Sequence, residues 1–310
     1  MPLLVPGDSR LGNALRYNST LPLLFRSNVS IVPSLLQQTR FVLNELGVRP
    51  HKQFGQHFLI NPTVVTHMIE AAEIHPQDSV LEIGPGLGVL SDELAVRAGR
   101  LYLVDVDTVL VARLEKHFAD REHVQVATAD FLSLDIAAVF PDPEIHVVAS
   151  LPYNVATPIL FRLLDHRQKF RSATVMIQKE VAERLTATPG TKAYGVPSVL
   201  TQMYGTVTTI CTVGPGSFFP PPKVESQVIR IVFQVQPRVP LADEAVFRRI
   251  VKAAFAQRRK TLRNTLKSAG YENLDEVSAQ TGIDFQRRGE TLSLAEFARL
   301  ANAYATRLLG

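Results

Sequence analysis

A chain of 310 residues, 46% apolar, can bury one full α/β core with a smaller one beside it, and it contains no apolar run of the length a membrane helix needs. A single cysteine, Cys211, excludes a disulfide framework and a cysteine-based metal cluster, and the eight histidines show no metal-ligand spacing. Thirty-three basic against twenty-nine acidic residues, a net charge of +4, leave a mild positive excess that suits a nucleic-acid partner without requiring one.

Residues 1–38 lack periodicity, carry several arginines and serines, and hold one acid, Asp8. They read as a disordered extension, with an organellar transit peptide as the alternative, which makes a mitochondrial or plastid location the alternative to the cytoplasm. Organised sequence is expected from Thr39, where Phe41, Val42 and Leu46 suggest a short helix ended by Gly47. A basic, then aromatic and polar stretch runs from Arg49 to Leu59. Asn61-Pro62 then marks a helix start, Asn as N-cap and Pro in the first turn. Val64, Val65, Met68 and Ala72 would face inward from a helix over residues 63–73.

The next stretch organises the rest. Residues 79–83 are β-prone and run into Gly84, Gly86 and Gly88, after which Val89, Leu90, Leu94 and Ala95 lie on one helical face. Strand, tight glycine loop and helix form the first unit of a doubly wound, Rossmann-like α/β sheet. The next strand, residues 100–104, ends at Asp105, whose carboxylate can accept from both hydroxyls of a ribose. A third strand, residues 124–127, leads to Asp130, an acceptor for the exocyclic amine of an adenine ring. The spacing is G-x-G-x-G, not the G-x-G-x-x-G of nicotinamide sites. Together with an acid closing the following strand, it is what S-adenosylmethionine (AdoMet) methyltransferases use, although the loop alone does not separate methyl from hydride transfer.

Residues 145–149 form another buried strand, ending in Ser150-Leu151-Pro152-Tyr153. Amino-group methyltransferases place an Asn, Asp or Ser, an apolar residue, Pro and an aromatic at the end of the fourth strand. The exocyclic amine of adenine is a poor nucleophile because its lone pair is delocalised into the ring. An acceptor side chain and a backbone carbonyl can bind its two N–H groups, proline fixes the turn, and the aromatic stacks on the base. Farther on, residues 159–164 and 180–185 read as helices and 173–177 as a strand. Strands at 206–213 and 228–234 flank a proline-rich loop, residues 214–222, and are expected to pair antiparallel at the end of the sheet. Residues 237–240 read as a linker, and the pattern from Asp243 on is helical, giving an expected division into 39–238 and a small all-α part, 239–310. Lys252, Arg258, Arg259, Lys260, Arg263 and Lys267 crowd the segment near 253–266, where helical spacing would align Arg259, Arg263 and Lys267 as a phosphate-tracking stripe with few acids nearby.

Four motifs occur in the order found in the rRNA adenine N6,N6-dimethyltransferases: Gln53-Phe54-Gly55-Gln56-His57-Phe58-Leu59, Glu82-Ile83-Gly84-Pro85-Gly86, Ser150-Leu151-Pro152-Tyr153-Asn154, and Phe219-Pro220-Pro221-Pro222-Lys223-Val224-Glu225-Ser226. From about Phe41 to its end the chain resembles the bacterial small-subunit branch of this family. Gln178-Lys179-Glu180-Val181, Lys192-Ala193-Tyr194-Gly195 and the run from Phe255 to Thr261 look like that branch in particular. The resemblance implies a class I AdoMet-dependent methyltransferase fold. It implies AdoMet contacts at His57, Leu59, Gly84, Gly86, Asp105, Asp130 and Ser150, and no metal. The target adenine would lie between Tyr153 and Phe218 at the Ser150–Leu151–Pro152 turn. RNA contacts would fall on Lys223, Arg258, Arg259, Lys260 and Arg263. The implied substrate is the loop of the 3′-terminal hairpin of small-subunit rRNA in a pre-ribosomal particle, bound by a monomer away from any membrane. Two departures stand out: Ser150 replaces the family's usual Asn, and Asp105 its commoner Glu. A non-catalytic RNA-binding factor of the same family, or a large-subunit resistance methylase, are the rival expectations.

Overall fold

The computed structural model describes residues 33–50 and 55–308, so the expectations for residues 1–32 and for Gln53 and Phe54 lie outside the described residues. The first described helix, α1 (Leu35–Glu45), starts four residues ahead of the expected Thr39, because Ser34 and Gln37 form a reciprocal capping box at its N-terminus. A two-residue strand, β1 (Phe58–Leu59), precedes α2 (Pro62–Ala72), which Asn61 caps through Thr63 N–H and which ends at a left-handed Glu73. Then follow β2 (Ser79–Ile83), α3 (Val89–Arg97), β3 (Arg100–Asp105), α4 (Thr108–His117), β4 (Val124–Thr128), α5 (Ile136–Val139), β5 (Ile145–Ser150), α6 (Ala156–Asp165) and β6 (Phe170–Gln178). The chain continues through α7 (Lys179–Thr186), α8 (Val196–Tyr204), β7 (Gly205–Val213), β8 (Phe218–Phe219) and β9 (Ser226–Phe233). It closes with α9 (Glu244–Phe255), α10 (Leu262–Ser268), α11 (Leu274–Thr281) and α12 (Leu294–Leu308). No helix among the described residues is long and apolar enough to cross a membrane.

Seven strands form one sheet in the order β4-β3-β2-β5-β6-β9-β7. The five from β4 to β6 are parallel, and β9 runs antiparallel to both β6 and β7, as the two late strands were expected to do. The central strands carry near-continuous apolar runs because helices cover both faces. Leu81, Ile83, Val147 and Ala149 belong to one buried cluster, and Val80, Leu103 and Val148 to the other. Chain direction across the sheet reverses between β2 and β5, and this places a crevice beyond their carboxyl ends. A separate two-stranded ribbon pairs β1 with β8, Phe58 opposite Phe219 and Leu59 opposite Phe218, and so brings two distant segments over that crevice.

Helices α9 to α12 gather around Phe247, Ile250, Leu266, Phe297 and Leu300, and the same buried cluster takes in Leu200, Met203 and Tyr204 of α8. Residues 237–240, expected as a linker, are tied down. Arg238 donates its backbone N–H to Met203 O at 2.8 Å and its guanidinium to Gly205 O and Thr206 Oγ1. The expected basic stripe is corrected here: α9 ends at Phe255, and a new helix starts only when Thr261 caps α10. Arg258, Arg259 and Lys260 therefore lie in the turn between two helices, and Arg259 shares no helical face with Arg263 and Lys267.

Candidate active site

At the carboxyl ends of the strands, the glycine loop, the ends of β3, β5 and β6, the segment after β4 and the β1–β8 ribbon enclose a cavity of about 260 Å³. All three loop glycines have positive φ, +69° at Gly84, +59° at Gly86 and +87° at Gly88, which strains any other residue. At Gly88 a Cβ would also stand 2.9 Å from Leu114 Cδ2, and at Gly86 one would press on the Phe58 ring at 3.4 Å. The glycine spacing thus lets backbone, rather than side chains, form the near wall.

Asp105 ends β3 directly beside this loop. Its Oδ2 accepts from Gly86 N–H at 3.3 Å and its Oδ1 from Asp107 N–H at 3.0 Å. Each oxygen keeps acceptor capacity, since a carboxylate offers about four lone-pair sites. Burial pushes the Asp105 carboxyl above its ordinary value, and the backbone N–H groups oppose that rise. Asp130 lies on the rim after β4, exposed, with Oδ1 accepting from Leu132 N–H at 2.9 Å.

Ser150 closes β5 opposite Met176, and Leu151 N–H reaches Met176 O at 3.1 Å. The Pro152 carbonyl accepts from Val155 and Ala156 N–H and turns the chain into α6. Among the described residues, neither the Ser150 hydroxyl nor the Leu151 carbonyl takes part in a hydrogen bond, which leaves two acceptors side by side on the cavity wall. Tyr153 is fixed at both ends. Its hydroxyl shares a 2.7 Å hydrogen bond with Ser226 Oγ, and its ring stacks on His57 with centroids 5.5 Å apart. The His57 Nδ1 lies 2.7 Å from Pro220 O; a carbonyl only accepts, so Nδ1 carries a proton and donates. Leu59 and Phe218, paired across the ribbon, form the apolar cover.

The expected cavity residues His57, Leu59, Gly84, Gly86, Asp105, Asp130, Ser150, Leu151, Pro152, Tyr153 and Phe218 all line this one space. The basic residues do not join them. Lys223 is exposed on the loop between β8 and β9, and the other four lie in the helical part. There Arg258 bonds to Lys192 O and Glu290, and Arg263 pairs with Asp275, so the expectation of few compensating acids is also corrected. Three contributors were not singled out from the sequence: Phe58 against Gly86, Met176 at the end of β6, and Ser226 behind Tyr153.

Residues 47–306 match the sequence model of the family described as Ribosomal RNA adenine dimethylase. The chain is 47% identical over 255 residues to the Ribosomal RNA small subunit methyltransferase A of Syntrophotalea carbinolica, covering 82% of this chain and 96% of that protein. The protein of the same name from Bacillus mycoides is 41% identical over 277 residues, 86% of this chain and 95% of its own. Among solved structures, a dimethyladenosine transferase from Plasmodium falciparum superposes with a TM-score of 0.68 at 26% identity, covering 79% of this chain and 96% of that one. The 23S rRNA methyltransferase ErmE, at 24% identity and a TM-score of 0.61, covers 79% and 98% and shares the fold.

Proposed function

This chain belongs to the ribosomal RNA adenine dimethylase family, and from that premise we propose that it transfers methyl groups from AdoMet to N6 of two adjacent adenosines in the 3′-terminal hairpin loop of small-subunit rRNA, two to each. It is a small-subunit rRNA adenine methyltransferase, built on a Rossmann-like class I fold with a C-terminal helical part. The observation that carries the assignment of the site is the pair of acceptors, Ser150 Oγ and the Leu151 carbonyl, unclaimed among the described residues, beside a fixed aromatic ring and in the same cavity as a carboxylate at a strand end.

AdoMet fits the residues present. Asp105 has acceptor capacity left for a ribose, Asp130 and the His57 ring add polar groups on the rim, and Leu59, Ile83 and Val104 supply apolar wall. When bound, AdoMet supplies the electrophilic methyl group. The protein's own work is positioning. Ser150 Oγ and the Leu151 carbonyl accept the two N–H groups of the adenine amine and favour a pyramidal nitrogen with its lone pair free. Tyr153, held by Ser226 and His57, and Phe218 on the ribbon take the splayed base between them. Once the methyl group has moved, the nitrogen is acidic enough to lose a proton without a strong base.

In this proposal the helical part, residues 239–310, and Lys223 track rRNA phosphates, with the substrate presented in a pre-ribosomal particle in the cytoplasm to a monomer. The test is mass spectrometry of nucleosides from small- and large-subunit rRNA, analysed separately after incubation with the protein and labelled AdoMet. The expected product is N6,N6-dimethyladenosine, two per particle. Label appearing only in large-subunit rRNA, or in neither, would contradict the proposal.

A further inference from the structure

One buried group in the cavity is not used by this chemistry. Glu82 lies on β2 two residues before Gly84, 1% exposed, with apolar Leu103 and Val148 beside it in the sheet. Among the described residues its carboxyl has one hydrogen-bond partner, Ser91, whose Oγ donates to Oε2 at 2.6 Å. A buried carboxylate ordinarily requires a cation or several donors. This one has neither. Among the described residues the cavity lining includes three acids, Glu82, Asp105 and Asp130, with His57, and no lysine or arginine.

The charged groups around Glu82 make ionisation harder. From α3 comes Asp92, from β3 Asp105, and both repel a second negative charge; burial acts in the same direction and outweighs the Ser91 hydrogen bond, raising the carboxyl from 4.5 to about 8. From α4, Arg113 donates to Leu87 O at 3.0 Å, and its charge acts on Asp92 and Glu45 rather than on Glu82. His57, also in the cavity lining, donates its Nδ1–H to Pro220 O. The described lining is therefore acidic, with a buried carboxyl in its wall that burial and its neighbours bias toward the protonated form. The ligand of the proposed function arrives with a sulfonium charge and leaves as a neutral thioether, a difference of one positive charge.

We propose that Glu82 is a proton-linked counter-charge for the sulfonium: it keeps its proton in the free protein, releases it to solvent when AdoMet enters the cavity, and takes it back when the neutral product S-adenosylhomocysteine is what remains. This inference rests on the AdoMet reading of the site and goes beyond it. A group protonated in the free form and ionised in the complex makes affinity rise with pH, by about tenfold per pH unit well below its free-state value. Glu82 would thus bias the site toward donor over spent product at neutral pH and above, by a means independent of shape.

Isothermal calorimetry in buffers of differing ionisation enthalpy measures the protons released per ligand bound. Wild-type protein at pH 7 should release close to one proton more with AdoMet than Glu82→Gln does, the variant correcting for the ligand's own amine, which titrates near pH 8. With S-adenosylhomocysteine the two proteins should release alike. Ser91→Ala, which removes the donor favouring the carboxylate, should move the pH dependence of AdoMet affinity upward. Should Glu82→Gln fail to fold or bind, infrared difference spectroscopy on the wild type decides instead. The carbonyl stretch of a protonated buried carboxyl should disappear on adding AdoMet and persist with S-adenosylhomocysteine. Equal proton release by wild type and variant, or a carboxyl band unchanged by AdoMet, would overturn the proposal. Absence of any AdoMet binding to the wild type would instead contradict the proposed function.

Discussion

The cavity and the C-terminal helices handle their acids in opposite ways. In the cavity, Glu82 and Asp105 are pushed upward by burial, and among the described residues no lysine or arginine lines the space. In the helical part, Glu296 is drawn down to about 2, chiefly by hydrogen bonding to Arg287, and Asp275, Glu276 and Glu290 each face an arginine. One region carries negative charge that its own side chains leave unanswered. The other balances itself at the surface and leaves Arg259 and Lys260 as exposed cations with no ion pair among the described residues. In the proposed function a small cationic ligand would be met by fixed geometry, and a long polyanion by exposed charge whose geometry is set only when it binds.

The contrast breaks most easily at Asp105. Asp105→Ala removes the proposed acceptor for two ribose hydroxyls, each charge-assisted bond worth roughly 1.5–3 kcal/mol, so AdoMet affinity should fall about 100-fold or more. Calorimetry showing unchanged affinity would remove Asp105 from the site. RNA affinity should not change in that variant.

At the other region, Arg259→Ala with Lys260→Ala should reduce the log–log salt slope of RNA binding by about 0.7–0.9 per lost contact and leave AdoMet affinity intact. The pair Arg258→Ala with Arg263→Ala should change the slope less, because those side chains are already engaged by Glu290 and Asp275. Equal slopes for both pairs would mean that self-pairing does not matter for RNA contact.

A smaller effect is expected behind the aromatic wall. Ser226 is fully buried, and Ser226→Ala takes away the partner of the Tyr153 hydroxyl. The ring keeps its place on His57 but loses its anchor, so kcat should drop by roughly tenfold or less while AdoMet affinity holds. A lowered AdoMet affinity instead would place the effect in general packing.

The smallest change concerns the self-balanced acids. The Glu296 carboxyl is lowered in the fold, so its pairing with Arg287 stabilises above the unfolded value near 4.5 and that contribution is lost as pH falls toward 2. Arg287→Ala should destabilise by about 1 kcal/mol at pH 7, with the difference from wild type narrowing below pH 4.5. Denaturant unfolding across that range checks it, and a difference independent of pH would assign the loss to packing.

Much of the cavity was legible because its parts are local signals. Strands β2, β3 and β5 are short apolar runs, each stopped by the residue that matters: Gly84, Asp105, Ser150. The β1–β8 ribbon was not legible, since a two-residue strand has no periodicity and Phe58 meets Phe219 only in the folded chain. Glu82 stands within the strand of a quoted motif and drew no site assignment; its chemistry depends on burial by both neighbours in the sheet. The basic stripe failed for a different reason. The helical pattern was read through residues 256–261, although Thr261 is an N-cap residue type and marks where a second helix restarts. Helix α8 was passed over because Gly195 is a weak cap by itself, and the capping contact comes from Ser198 Oγ accepting its N–H.

Everything proposed for the site turns on whether the Ser150–Leu151 acceptors hold the amine that receives the methyl group. Single-turnover methyl transfer to pre-assembled small-subunit particles, with RNA affinity measured alongside, addresses this directly. Ser150→Ala should slow transfer by about 10- to 1,000-fold with RNA affinity unchanged, and Ser150→Asn should preserve or raise the wild-type rate. Transfer by Ser150→Ala at the wild-type rate, or transfer by Ser150→Asn where the wild type gives none, would contradict it.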